Sequence, residues 1–310
     1  MTRIYTDKNI TLSTLLLALF ILSSANAEVK VAPVFGDHMV LQRDMEVPIW
    51  GTADKGEKVV VEFAGQKKET KAGDDGKWMI KLDKMKTSAE GRILKVSGTQ
   101  FANVVVGEVW VGAGQSNMDW HFILCLRGNG DPLLKKWSEE TVPGVRMFDR
   151  GAWAVADPKI PRNYSALGFA FAYSLHKELK VPVAIMIGAV GGQPSGRFLT
   201  PEMGMASSNE QLKSISEENA KLDRVKIARE MEEIPAKRKE WKKRKREARE
   251  AGTELTEPQP KWPPMLMGDL YEERVERFVP YAIRGVLWDQ GESGTGLHPK
   301  TGRSGPARQD

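Results

Sequence analysis

Only one cysteine, Cys125, occurs in the 310 residues, so no intrachain disulfide can form and stability must come from a packed core. Histidine is scarce too: His38, His121, His176 and His298 are the four, and none stands at a metal-ligand spacing. No glycine-rich phosphate loop occurs. Beyond Leu22 no apolar run is long enough to cross a bilayer. These absences leave no sign of a metal or cofactor, and no stable membrane insertion is expected.

The charges nearly balance, with 46 Lys and Arg against 41 Asp and Glu, a net charge of +5. The basic excess is concentrated in one segment, Lys237 to Arg246. A basic run with an interleaved Trp241 can bind nucleic acid or an anionic polysaccharide, or it can be a solvated helix laced with Glu/Lys pairs. The solvated helix is the expectation, with no nucleic-acid partner.

At the N-terminus, Lys8 precedes the apolar run Ile10 to Leu22, and Ala25-Asn26-Ala27 fits the small-x-small rule for signal cleavage. Residues 1–27 thus read as an export signal, with a periplasmic or secreted mature chain from Glu28; an uncleaved anchor is the other reading. Residues 28–100 read as a small all-β, sandwich-like domain. Its strand-like runs Val47–Gly51, Lys58–Phe63, Lys77–Leu82 and Arg92–Val96 are separated by Asp/Gly turn signals. Trp50 and Trp78 belong to its core on this reading, and His38 to a structural hydrogen bond.

From residue 101 to 310 strands alternate with helices, which predicts an α/β layer with a parallel sheet covered on both faces. The strands are expected at Val104–Val111, Gly144–Phe148, Val181–Val190 and Tyr281–Trp288. A helix over Ser165–Leu179 carries Leu167, Phe171, Leu175 and Leu179 on one side, with His176 on a solvated face. Residues 205–262 interrupt the alternation as a charged helical insertion ending in a Pro-rich linker.

The stretch Gly112 to Trp120 follows the first of these strands. Its glycines permit a sharp turn that presents Ser116 where the sheet ends. An exposed nucleophile and an ordinary helix-capping serine both fit this stretch. Two further strands end in unusual turns, Gly191-Gly192-Gln193-Pro194-Ser195-Gly196 and Asp289-Gln290-Gly291-Glu292-Ser293. On a parallel sheet such turns share one edge, where ligands bind. Acyl transfer needs a nucleophile, a base and donors around the oxygen that becomes negative. Ser116 supplies the first; its own N–H, an N–H at Gly191 or Gly192, and the Gln290 amide are candidate donors.

The block Gly114-Gln115-Ser116-Asn117-Met118-Asp119-Trp120 resembles the nucleophile block of the sialate O-acetylesterase family, a branch of the SGNH hydrolases. Phe35-Gly36-Asp37-His38-Met39-Val40-Leu41-Gln42-Arg43 is similar to the opening of that family's N-terminal β-domain. The resemblance implies an SGNH-type sheet and a serine-dependent esterase that removes acetyl groups from an O-acetylated sugar or glycan. It also implies oxyanion roles for the glycine pair and Gln290, with Asn117 and Glu292 supporting the site. The family's Asp-x-x-His block lies more than a hundred residues farther on. This chain offers only His298, in Leu297-His298-Pro299-Lys300, as a weak stand-in base, and His121 is tethered too close to the nucleophile turn. The family's glutamate and tryptophan after the glycine pair are replaced by Arg197 and Phe198, expected to wall the substrate side. A glycan-binding relative without a base is the competing reading.

Overall fold

A computed structural model describes residues 29–126, 132–158, 164–291 and 294. The expected signal segment 1–27, Glu292 and His298 lie outside the described residues.

Twelve strands are described: β1 Lys30–Val31, β2 Val40–Gln42, β3 Val47–Thr52, β4 Lys58–Phe63, β5 Gln66–Lys71, β6 Lys77–Leu82, β7 Ser88–Val96, β8 Thr99–Gly114, β9 Val142–Asp149, β10 Ala152–Ala156, β11 Val183–Ile187 and β12 Gly285–Asp289. The helices are α1 Ser116–Asp119, α2 Phe122–Cys125, α3 Pro132–Ser138, α4 Ala166–Leu179, α5 Pro201–Met205, α6 Glu210–Ala220 and α7 Arg224–Glu250.

In β3, β4 and β6 the apolar residues recur every second position, so each of these strands buries one face. β1, β3 and β6 form a three-stranded antiparallel sheet. Its Ile49, Ile80 and Leu82 share one core with Val59, Val61 and Leu94 from β4 and β7. Fully burying such a side chain contributes roughly 1.5–3 kcal/mol. Trp78 is buried, and Trp50 packs on Phe35 at 4.7 Å and on Tyr281 at 6.3 Å between ring centroids. His38 Nδ1 lies 2.9 Å from the Asn103 side-chain amide.

β8 joins this part to the rest. Its first half pairs with β7 and β2, and its second half pairs in parallel with β11 (Glu108–Gly112) and β12 (Trp110–Gly114). Its sixteen residues are interrupted by a bulge at Asn103, whose φ is 53° and where the register against β7 slips. At the crossover the buried Glu108 carboxylate receives Arg43 at 2.7 Å and faces Arg284 at 3.7 Å. The buried Arg146 guanidinium on β9 donates to the carbonyls of His38 (2.9 Å) and Pro143 (3.2 Å) and to the backbone and side-chain oxygens of Asn103. Burial pulls its pKa down to about 10.

The second layer has the strand order β10-β9-β11-β8-β12. β9, β11, β8 and β12 run parallel, as the alternation of strands and helices predicts. The layer is nevertheless mixed: β10 folds back antiparallel on β9, through Arg150 and Gly151 at φ 51° and 87°. One face carries α4 over Val145, Met147, Val183 and Ile185. The other carries Phe278 and Tyr281, from an irregular run, over Val111, Phe148 and Met186.

Helix α4 bears out the expected side in part: Phe171 and Leu175 pack against the core. Ala166, Gly168, Ala172 and Tyr173 face inward, while Leu167 and Leu179 are exposed. Small residues let the helix lie close to the sheet: a Cβ on Gly168 would come within 3.0 Å of Ile187 Cδ1. His176 is not on a solvated face; its Nδ1 meets the Val181 carbonyl at 2.6 Å and its ring packs over Gly144.

Between β11 and β12 come α5, α6 and α7, capped by Thr200, Asn209 and Asp223. In the 27-residue α7 only Ile227 and Ile234 are buried. Among the described residues no helix is long and apolar enough to cross a membrane.

Candidate active site

The three polar turns lie together at the carboxyl end of the parallel strands. Gly114 makes this possible. Its φ is +122°, and a Cβ there would fall 2.0 Å from the Asp289 carbonyl oxygen. The close approach lets the Gln115 N–H donate to that carbonyl at 2.9 Å. α1 then begins at Ser116.

Gln115 is wholly buried, and its amide lies between two other turn residues. Gln290 Nε2 donates to Gln115 Oε1 at 2.8 Å, and Gln115 Nε2 points to Ser116 Oγ at 3.5 Å. That last separation is at the outer limit of a hydrogen bond, a contact that orients the hydroxyl without holding it tightly. Gln290 Nε2 also reaches the carbonyls of Gln193 at 3.3 Å and Gly294 at 3.4 Å. Both hydrogens of the Gln290 amide are therefore directed at protein acceptors, and its place here is behind Gln115. A Cβ on Gly291 would stand 3.1 Å from Gln115 Nε2, so this glycine leaves room for the buried amide.

Gly191 lies against Ser116, with its missing Cβ 3.9 Å from the serine Cβ. Its N–H donates to Asp119 Oδ2 at 2.9 Å, so in this arrangement that N–H is occupied. Gly192 is exposed, with φ +72°, and its N–H finds no acceptor among the described residues. Asn117 Nδ2 bonds Asp289 Oδ1 at 3.2 Å, bracing the first turn on the third.

Arg197 and Phe198 turn into the protein instead of walling the substrate side. The Arg197 guanidinium grips Asp269 through both carboxylate oxygens and bonds Gln193 Oε1. Phe198 is buried edge-on against Trp288, at 5.1 Å, lining an apolar cavity of about 260 Å³.

Four residues join the site that the motif reading did not single out: Gln115, Asp119, Asp149 and Arg150. Arg150 Nη2 lies 2.6 Å from His121 Nε2 and 4.0 Å from Asp119 Oδ1. Burial pushes the Asp149 carboxyl pKa up, opposed by the Arg150 charge and reinforced by that of Asp119. The Tyr164 phenol is raised as well, first by burial and then by Asp149. Asp119 carried a readable signal, since three residues after Ser116 places it on the same side of a helical turn.

Among the described residues no histidine or carboxylate contacts Ser116 Oγ, and no group of three His, Cys, Asp or Glu is placed to hold a metal ion.

No protein-family model matches the chain, and no curated protein does. Among solved structures it is similar to a carbohydrate acetylesterase from Xanthomonas citri, with a TM-score of 0.60 at 20% identity. The match covers 86% of this chain and 52% of that one, so the chain spans about half the length of its structural relative. The likeness concerns the fold alone: a mixed sheet flanked by helices, together with a small antiparallel sheet.

Proposed function

We propose that the protein is an exported carbohydrate O-acetylesterase of the sialate O-acetylesterase type, acting through an acyl-serine. The observation that carries this is the convergence of three distant turns near Ser116, with Gln115 and Gly191 against it and Gln290 behind Gln115. The acetylesterase named among the structural relatives supports the same class of reaction.

In this reading Ser116 Oγ attacks the acetyl carbonyl carbon, the sugar oxygen leaves with a proton, and water then releases acetate. The N–H groups of Ser116 and Gly192 are the donors left for the developing oxyanion. Losing one such donor typically costs about 10²–10³ in turnover. Gln290 acts through Gln115, holding the amide that orients Ser116. The described residues supply no base for the serine proton, and His298, the candidate read from the sequence, lies outside them. The absence of a described base also favours one alternative, a glycan-binding protein that forms no acyl-enzyme.

Acetate release from an O-acetylated glycan by the purified protein tests the proposal. Ser116→Ala is expected to lower it at least a hundredfold, roughly the scale of assisted nucleophilic catalysis. Release unchanged by Ser116→Ala refutes the acyl-serine reading. Glycan binding without acetate release supports the alternative.

A further inference from the structure

The charge on α7 is sorted by face. Residues 237–249 hold nine Lys or Arg against two Glu. On one side Trp241 Nε1 donates to the Glu257 carbonyl at 2.9 Å, Arg244 pairs with the Glu257 carboxylate, and Arg238 bonds the Pro260 carbonyl at 2.6 Å. The Arg238 guanidinium also stands 5.6 Å from the Trp262 ring centroid. The returning Pro-rich segment thus straps down this side and occupies Trp241, removing it as a base-stacking platform. At 100° per residue Arg249, Lys242, Arg246, Lys239 and Lys243 lie about 80–200° round the helix from Trp241, all exposed. Lys239, Lys242 and Arg249 have no ion-pair partner among the described residues. Glu247 and Glu250 approach Lys243 and Arg246 only at 3.8 Å, which offsets those cations without capping them.

We propose that this side of α7 is a docking surface for an acidic polysaccharide bearing about one carboxylate per sugar. The choice of an acidic glycan rests on the esterase reading, and it narrows the substrate class to acetylated, carboxylate-bearing chains. Charge spacing supports it independently. The cations recur about once per helical turn, roughly 5.4 Å, which is close to the length of one sugar unit. Duplex nucleic acid carries one charge per about 1.7 Å of axis, a density this row leaves mostly unmatched. Arginine forks suit carboxylates in particular, because two parallel N–H donors meet two oxygens.

The test is equilibrium binding of the whole protein to polygalacturonate, to a neutral galactan and to duplex DNA. Binding to polygalacturonate is expected to exceed both others and to weaken steeply with salt. Lys239→Gln/Lys242→Gln/Arg246→Gln/Arg249→Gln is expected to weaken it at least tenfold with helix content unchanged. Lys55→Gln/Lys71→Gln/Lys77→Gln, on the β-domain, is expected to leave it unchanged. The proposal is overturned if the α7 variant binds like the parent, if the β-domain variant weakens binding equally, or if DNA binds as tightly as polygalacturonate. Acetate release plays no part in this readout, so the esterase reading can fail while the surface stands, and the reverse.

Discussion

Gly114→Ala is the sharpest probe of how the site is assembled. The new Cβ would sit 2.0 Å from the Asp289 carbonyl oxygen and 2.7 Å from its carbon, both backbone atoms that cannot swing aside as a side chain would. Restoring ordinary contact requires β8 and β12 to part by more than an ångström at their ends. That movement breaks the Gln115 N–H bond to Asp289 and strains the Val190 N–H bond to the Gly114 carbonyl, at 3.2 Å. Two backbone bonds at about 1 kcal/mol each, with a strained φ of roughly 1–3 kcal/mol, give a destabilisation near 4 kcal/mol. With a urea slope of about 3 kcal/mol per molar, the unfolding midpoint should fall by more than 1 M. The displaced Gln115 should also cost the variant its acetate release. A midpoint lowered by less than about 0.3 M, at unchanged slope, would mean that the two strands do not approach as described.

Two further outcomes are expected. Asp149→Asn should stabilise the protein at neutral pH. The carboxyl's folded pKa is raised, so its ionised form costs stability as pH rises through that value. The advantage of the amide should vanish below about pH 3.9, where both states hold the proton, and urea midpoints across pH would show it; a pH-independent difference sinks the assignment. Arg146→Met should destabilise by about 3 kcal/mol, because the buried carbonyls of His38, Asn103 and Pro143 lose their donor; a loss under about 1 kcal/mol would show that they find other partners.

Much of this architecture was legible in the residues. Alternating Val, Ile and Trp set the inward faces of β3, β4 and β6, and the glycine-flanked Ser116 marked the end of β8. Other elements carried no such signal. β5, Gln-Lys-Lys-Glu-Thr-Lys, has no apolar residue to reveal it and exists because β4 offers it an edge. In α4 Phe171 and Leu175 of the expected side do pack against the core, but Leu167 and Leu179 are exposed, and Ala166, Gly168, Ala172 and Tyr173 make the closest approach. Around the site, the pairing of Gln115 with Gln290 joins residues 175 positions apart, and nothing periodic announces it. Arg197 was read from its position beside the glycine pair, whereas its partner Asp269 arrives from beyond the insertion.

The length of β8 bears on how the molecule comes apart. Val104 to Gly114, beyond the bulge at Asn103, is a single run that pairs with β2 and β7 at its start and with β11 and β12 at its end, two residues before Ser116. Thermal opening of either part must strip hydrogen bonds from the other, so the two should melt in one transition. The amides of Val109 and Val111, near the middle of that strand, should be among the slowest in the chain to exchange with deuterium, released only when the whole molecule unfolds.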